Sequence, residues 1–306
     1  MSRDVCLAGL AYELGDQRPV AELRGASDPV ALDLLCANGI RHYRRSEQPA
    51  GRLAAASLVK SIALWGGDPR DIDLVLYCSE SLGPVEKASI RFGALCRDYG
   101  LGDVPVVGVS LSGCANLIPG LRYARALLRA EGLRNVAVVT ADTCLDESRR
   151  IADWDLAVLS DGAASCIVST EPSAPGVRLL GVGHAANPRL RDLDRRGQRP
   201  RILLMIANGV RRALEAALQD AAVDLAAIGR LVSTNTRRDA MEFFARHVGL
   251  GAAAAFTGTL DGVSHCYSSD VLINILASAG AAPGPGPFAA LSLGPDSWGA
   301  LVLQDV

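Results

Sequence analysis

The sequence predicts an α/β fold assembled from two copies of one unit. Two observations carry this. Strand-like apolar runs alternate with amphipathic helical segments along the 306 residues. Residues 54–82 (AAASLVKSIALWGGDPRDIDLVLYCSESL) also read as helix, turn and buried strand, and residues 208–237 (NGVRRALEAALQDAAVDLAAIGRLVSTNTR) repeat that layout. In each copy an isoleucine, Ile72 or Ile228, introduces the strand. A second pair keeps the same order: AASCIVSTE (163–171) follows Gly162, and GALVLQDV (299–306) opens on Gly299. Two copies of one α/β unit account for both pairs without a long linker.

The pairs divide the chain into an N-terminal half, residues 1–172, and a C-terminal half, residues 173–306. The polar stretch NPRLRDLDRRGQRPR (187–201) reads as the segment connecting or capping the halves, a solvated loop or a docking surface for an acidic partner.

Bulk composition narrows the function classes. With 49% hydrophobic residues the chain can bury a sizeable core. A net charge of −2 gives no basic field for nucleic acid. Lys60 and Lys87 are the only lysines among 31 basic residues, a bias that says little about partners. No run of roughly 18 apolar residues predicts a membrane span, and the N-terminus lacks a signal-peptide pattern. The eight cysteines (Cys6, Cys36, Cys78, Cys96, Cys114, Cys144, Cys166 and Cys266) form no CxxC pair. That spacing suits neither a disulfide framework nor a metal site, so a reducing cytoplasm is expected. Cys78 and Cys166 lie in strand-like runs and read as core residues.

Cys114 stands apart. In VPVVGVSLSGCANLIPGLRYARALLRAE (104–131) an apolar strand, Val104 to Val109, meets Ser112-Gly113-Cys114, and a long amphipathic helix begins near Ala115. Gly113 allows an unusual backbone angle there. A helix N-terminus favours thiolate over thiol, and its N–H groups can hold an oxyanion when a thioester is attacked. A buried structural cysteine is the plainer reading of a lone residue.

Several segments together resemble the ketoacyl-ACP synthase III branch of the thiolase superfamily. SGCANLIPGLRYARALLRAEGLRNVAVVTAD looks like its nucleophile segment, and AVLSDGAASCIVS (157–169) is similar to its GDGA strand–turn. LSLGPDSWGALVLQ (291–304) resembles its glycine-rich loop and terminal strand, and GIRHYRRS (39–46) its motif beside the pantetheine entrance. The likeness spans nearly the whole chain. It implies a thiolase fold, two similar α/β halves in a five-layer αβαβα sandwich, and a homodimer pairing strands across protomers. It also places Arg41 and Arg44 at pantetheine, with Arg45 or the 189–201 cluster as further candidates, and Gly294 beside the Cys114 N–H as an oxyanion donor.

The chain departs from that branch at two catalytic positions. Where condensing members carry His, LVSTNTRR (231–238) places Thr234, followed by Asn235, and these two are the candidate substitutes. Where they carry Asn, SHCYSSDVLINILAS (264–278) places Cys266. Neither Thr234 nor Asn235 supplies a cation for an enolate, which speaks against decarboxylative condensation. The same stretch carries His265 and, five residues on, Asp270 in the first turn of a helix. His42, His184 and His247 read as structural or surface residues. Asp270 alone also reads as an acid satisfying a helix dipole, and His265 as a capping or core residue. Together with Cys114 the spacing resembles a divergent Cys-His-Asp subgroup of antibiotic and polyketide pathways. A carboxylate that fixes the imidazole tautomer leaves the other nitrogen to move a proton.

The resemblance implies an acyltransferase without cofactor or metal. It would take an acyl group from an acyl-carrier-protein or coenzyme A thioester onto Cys114. The group would pass to a hydroxyl, an amine or a second carrier thiol activated by His265. The rival readings are a starter-unit ketosynthase acting on malonyl-ACP, a catalytically silent partner of an active homologue, and a hydrolase.

Overall fold

The computed structural model describes residues 4–25, 28–80, 92–94, 96–171, 176–194, 197–279 and 286–306. The strands are β1 (Cys6–Leu14), β2 (Asp16–Pro19), β3 (His42–Arg45), β4 (Leu74–Cys78), β5 (Val106–Val109), β6 (Asn135–Asp142), β7 (Gly162–Ser169), β8 (Gly176–Ala186), β9 (Leu231–Ser233), β10 (Phe288–Leu293) and β11 (Ser297–Asp305). The described helices are α1 (Pro29–Ala37), α2 (Ala50–Trp65), α3 (Leu117–Ala130), α4 (Arg199–Ala221), α5 (Arg238–His247), the short α6 (Leu260–Val263) and α7 (Asp270–Ala279).

Nine strands form one mixed sheet in the order β5-β4-β6-β7-β1-β8-β11-β10-β9. β1 and β8 join its two parts through only three residue pairs, Cys6–Ala8 against Gly176–Arg178. Pairing repeats on either side of that seam. In the first part β4 runs parallel to β6, and β6–β7 and β7–β1 are antiparallel. In the second, β9 runs parallel to β10, and β10–β11 and β11–β8 are antiparallel. The second part has no described counterpart of β5. The proposed half boundary at 172/173 falls outside the described residues.

Helix packing completes the layers. α2 lies on β1, β6 and β7, while α4 lies on β8, β10 and β11. Between the two parts of the sheet, α3 touches β4, β6 and β7 on one side and β8 and β11 on the other. α7 likewise touches β1 and β7 as well as β9 and β10. The result is the αβαβα order. The central layer is apolar on both sides because Leu117, Ile118, Leu121, Ala124 and Leu128 of α3 are buried with Val271, Leu272, Ile273 and Ile275 of α7. The spacing on α3 is that of one broad helical stripe. Cys78 and Cys166 are fully buried in this core, and all eight cysteines are free.

The Arg-rich stretch 187–201 does not lie between the halves. It follows β8 and leads into α4, inside the second half, because residues 176–186 already form a strand paired with both β1 and β11. Part of it turns toward the site: Arg191 Nε donates to Asp296 Oδ2 at 2.5 Å, and Arg199 stacks over the Trp154 ring at 5.4 Å.

Glycine sets the distance between β8 and α4. A Cβ on Gly183 would overlap the Ala213 carbonyl oxygen and crowd the Ala217 nitrogen, both backbone atoms that cannot swing aside. Gly183→Val is therefore expected to destabilise the protein by about 3 kcal/mol, measured by urea unfolding. Gly229→Ala, whose Cβ would meet nothing within 4 Å, is expected to shift stability by less than about 1 kcal/mol.

Candidate active site

The carboxyl ends of β4, β5 and β6 converge on Cys114. β5 ends at Val109, and the turn that follows takes Leu111 (φ 75°) and Gly113 (φ 56°) through the left-handed region. A Cβ on Gly113 would press on Pro295 Cδ at 2.9 Å and approach the Glu80 carboxylate at 3.8 Å, so glycine makes room for both. Asn116 Oδ1 accepts from the Ser112 N–H at 2.9 Å and pins the turn. Ser292 Oγ donates to the Cys114 carbonyl at 3.0 Å, tying the turn to β10.

From the other half come His265 and Asp270. Ser264, at φ 57°, directs the chain so that the His265 N–H donates to the Val158 carbonyl at 3.0 Å and its carbonyl accepts from Ser160 at 2.7 Å. His265 Nε2 lies 3.2 Å from Cys114 Sγ, and Nδ1 lies 2.6 Å from Asp270 Oδ2. Asp270 is fully buried and opens α7. Its carboxylate also accepts the Asn235 N–H at 2.8 Å and the Cys266 N–H at 2.7 Å. An acceptor at Nδ1 fixes the proton there and turns the Nε2 lone pair toward the sulfur. Burial pushes the Asp270 carboxyl above its ordinary range; the His265 charge and hydrogen bond, then the two backbone donors, oppose that.

A second carboxylate reaches the sulfur. Glu80 Oε2 accepts from the Cys114 thiol at 3.3 Å. Asp142 at the end of β6 holds this acid in place, accepting from Ser79 Oγ at 2.9 Å and the Glu80 N–H at 2.8 Å. Burial first, and Glu80 next, push the Cys114 thiol well above its ordinary range. The helix-start argument for a resting thiolate is thus outweighed. α3 begins only at Leu117, after one 3₁₀ turn at Gly113–Ala115, while a low-dielectric pocket and a like charge act on the sulfur itself.

Other expected site residues separate into two groups. Thr234 and Gly294 line a cavity of about 390 Å³ that reaches Cys114 and His265. Thr234 Oγ1 accepts from the Leu293 N–H at 2.9 Å. The Gly294 N–H donates to the Ser297 carbonyl at 2.8 Å and is spent, and Pro295 has none. The Cys114 N–H has no partner among the described residues. Asn235 is fully buried and binds the Asp270 carboxylate through its N–H and the Ser264 carbonyl through Nδ2, so it supports the site rather than lining it. Arg41 and Arg44 lie away from the cavity: Arg41 pairs with exposed Asp261 at 3.5 Å, and Arg44 Nε donates to the Gly262 carbonyl at 2.6 Å. Cys266 does not replace an amide there, since its sulfur packs against Gly162 in the core.

Sequence reasoning missed Glu80 and the cavity wall. The wall comes from three separate segments and includes Trp154, Leu156, Leu203, Ile206, Phe243 and Phe244, with Arg199 and Arg237 among them. No periodicity joins these segments. Glu80 did carry a signal: it stands two residues past the buried run LVLYC, at the carboxyl end of a parallel strand adjacent to the strand that leads to Cys114, where α/β folds gather their ligands.

No protein-family model and no curated protein sequence matches the chain. Solved structures do. ChlB3, described as an acyltransferase, matches with a TM-score of 0.84 at 24% identity over 99% of this chain and 98% of its own. The 3-oxoacyl-[acyl-carrier-protein] synthase III of Aquifex aeolicus VF5 gives 0.80 at 15% identity, covering 98% and 99%. Cerulenin-bound OleA of Xanthomonas campestris gives 0.80 at 18% identity, covering 99% of each chain. With its duplicated strand order and layered helices, the chain has the thiolase fold that these proteins share.

Proposed function

We propose that the protein is an acyltransferase of the ketoacyl-ACP synthase III-like kind, working through an acyl-Cys114 intermediate. The observation that carries this reading is the relay from Cys114 Sγ to His265 Nε2 at 3.2 Å and from Nδ1 to Asp270 at 2.6 Å. An acyl-pantetheine thioester, borne by an acyl carrier protein or coenzyme A, enters the apolar cavity. His265 takes the thiol proton as Cys114 attacks the carbonyl, so the nucleophile is charged only when it is used. The tetrahedral oxygen is held by the Cys114 N–H, and the C–S bond to pantetheine breaks as His265 protonates the departing sulfur. The acyl group then passes to a hydroxyl, amine or carrier thiol.

Thr234 stands where condensing members of the branch carry His, and Cys266, where they carry Asn, is turned into the core, which favours acyl transfer over decarboxylative condensation. Among the proteins of this fold, ChlB3 is described as an acyltransferase. The resemblance of the His265–Asp270 segment to the Cys-His-Asp subgroup supports a role in a polyketide- or antibiotic-type pathway. Free cysteines throughout suit a reducing cytoplasm. The edge strand β5 exposes Val106 and Val107, with Leu111 85% exposed just beyond, which supports a homodimer formed by strand pairing at that edge.

Intact-mass spectra after incubation with a panel of acyl-pantetheine thioesters test the reading. The wild type is expected to gain the mass of the acyl group and Cys114→Ala to gain nothing. No gain with any donor would transfer the assignment to a silent partner subunit. Asp270→Asn removes the group that fixes the His265 tautomer. It is expected to slow acylation about 10²–10⁴-fold while the protein remains folded by circular dichroism; an unchanged rate would remove Asp270 from the relay.

A further inference from the structure

Two groups, not one, touch the sulfur that would carry the acyl group. His265 Nε2 stands at 3.2 Å and Glu80 Oε2 at 3.3 Å, and a thiol has a single proton to give. The relay above uses only His265. The two groups also face different space. His265 lines the apolar cavity alone and is 6% exposed. Glu80 and Pro295 line that cavity and also a second one, of about 310 Å³, which opens beside Gly113. This second cavity is the more polar of the two, bounded by Ser110 and the Arg191–Asp296 ion pair as well as by Leu111.

We propose that Glu80 is the general base for the acceptor, and that the acceptor is a small polar molecule with a hydroxyl or amine, entering through the polar cavity. This rests on the acyl-Cys114 reading. Once Cys114 is acylated its proton is gone, so the Glu80 carboxylate loses its donor and faces the thioester. An acceptor arriving from that side finds two carboxylates, Asp296 held by Arg191 and Glu80, and of these Glu80 is the one that reaches the Cys114 sulfur. As its oxygen or nitrogen attacks the thioester carbon, Glu80 removes the acceptor's proton; the new C–O or C–N bond forms and the C–S bond breaks. The proton on Glu80 then passes to the departing Cys114 sulfur beside it, restoring both groups. No oxidant, reductant or cofactor is needed. A carrier thiol would instead return along the pantetheine route and bypass Glu80, so the geometry selects a small-molecule acceptor. His265 serves acylation, Glu80 serves transfer.

The test uses the full-length protein with p-nitrophenyl hexanoate as acyl donor and glycerol as the polar hydroxyl acceptor. Release of p-nitrophenolate reads acylation as a burst and transfer as the steady state, with Cys114→Ala as the blank. Glu80→Gln is expected to keep a burst at least as fast as wild type, to lower the steady-state rate about 100-fold, and to accumulate acyl-enzyme in intact-mass spectra. Glu80→Asp is expected to recover part of the lost turnover. A Glu80→Gln protein that deacylates within a factor of two of wild type overturns the proposal and leaves the acyl-enzyme standing. So does faster acylation with unchanged deacylation, which would make Glu80 only a brake on the thiol. Loss of the burst in both Glu80 variants also overturns it, because the two steps would share one base. Absence of a burst in the wild type, with no acyl-enzyme from any thioester, overturns the acyl-enzyme reading and this proposal together.

Discussion

The Asp270 carboxylate is buried at the start of α7, where it accepts from His265 Nδ1 and from the backbone N–H groups of Asn235 and Cys266. A buried carboxylate without such donors costs several kcal/mol, so the fold must deliver all three. That requirement ties the exit of β9, which carries Asn235, to the turn before α7, which carries His265 and Cys266. Asn235 extends the tie through Nδ2 to the Ser264 carbonyl, the peptide immediately before His265. The imidazole is thereby fixed in position and in tautomer before any substrate arrives.

Cys114 meets this arrangement because the two similar halves face each other across α3 and α7. The nucleophile turn belongs to the first half and the His265–Asp270 pair to the second, and hydrogen bonds cross between them. Ser292 holds the Cys114 carbonyl, and Thr140 at the end of β6 pairs with Ser269 at 2.8 Å. A sulfur placed this way is buried and sits beside Glu80, so it rests as a thiol. Its reactivity depends on proton transfer at the moment of attack rather than on a standing thiolate. This arrangement also limits side reactions of an exposed thiolate.

Much of the architecture was legible in the residues. The duplicated helix–strand units at 54–82 and 208–237 correspond to α2–β4 and α4–β9, and the strand pair at 163–171 and 299–306 to β7 and β11. Apolar periodicity reports such elements directly because one face of each must be buried. The grouping of Cys114, His265 and Asp270 was legible for a different reason, the resemblance of their segments to the ketoacyl-ACP synthase III branch; the strand-to-helix turn and the five-residue His–Asp spacing alone also fit structural roles. What depended on distant chain segments was not. Glu80 reaches the sulfur from the exit of β4, 34 residues before it. The Gly294 N–H is consumed by Ser297 across a hairpin, Asn235 turns inward to Asp270, and Arg41 and Arg44 are occupied by Asp261 and Gly262. Each of these outcomes follows from hydrogen-bond bookkeeping that exists only after folding. The Arg-rich stretch was misplaced because β8, with its near-continuous apolar run, precedes it and belongs to the second half.

The central claim is that Cys114 carries the acyl group with its carbonyl held inside the site. A crystal structure of the protein soaked with an acyl-pantetheine thioester tests this most directly. The account predicts continuous density from Cys114 Sγ into a thioester, its carbonyl oxygen within hydrogen-bond distance of the Cys114 N–H and its plane between His265 and Glu80. An unmodified sulfur with the thioester bound intact elsewhere, or acylation at another cysteine, would contradict it.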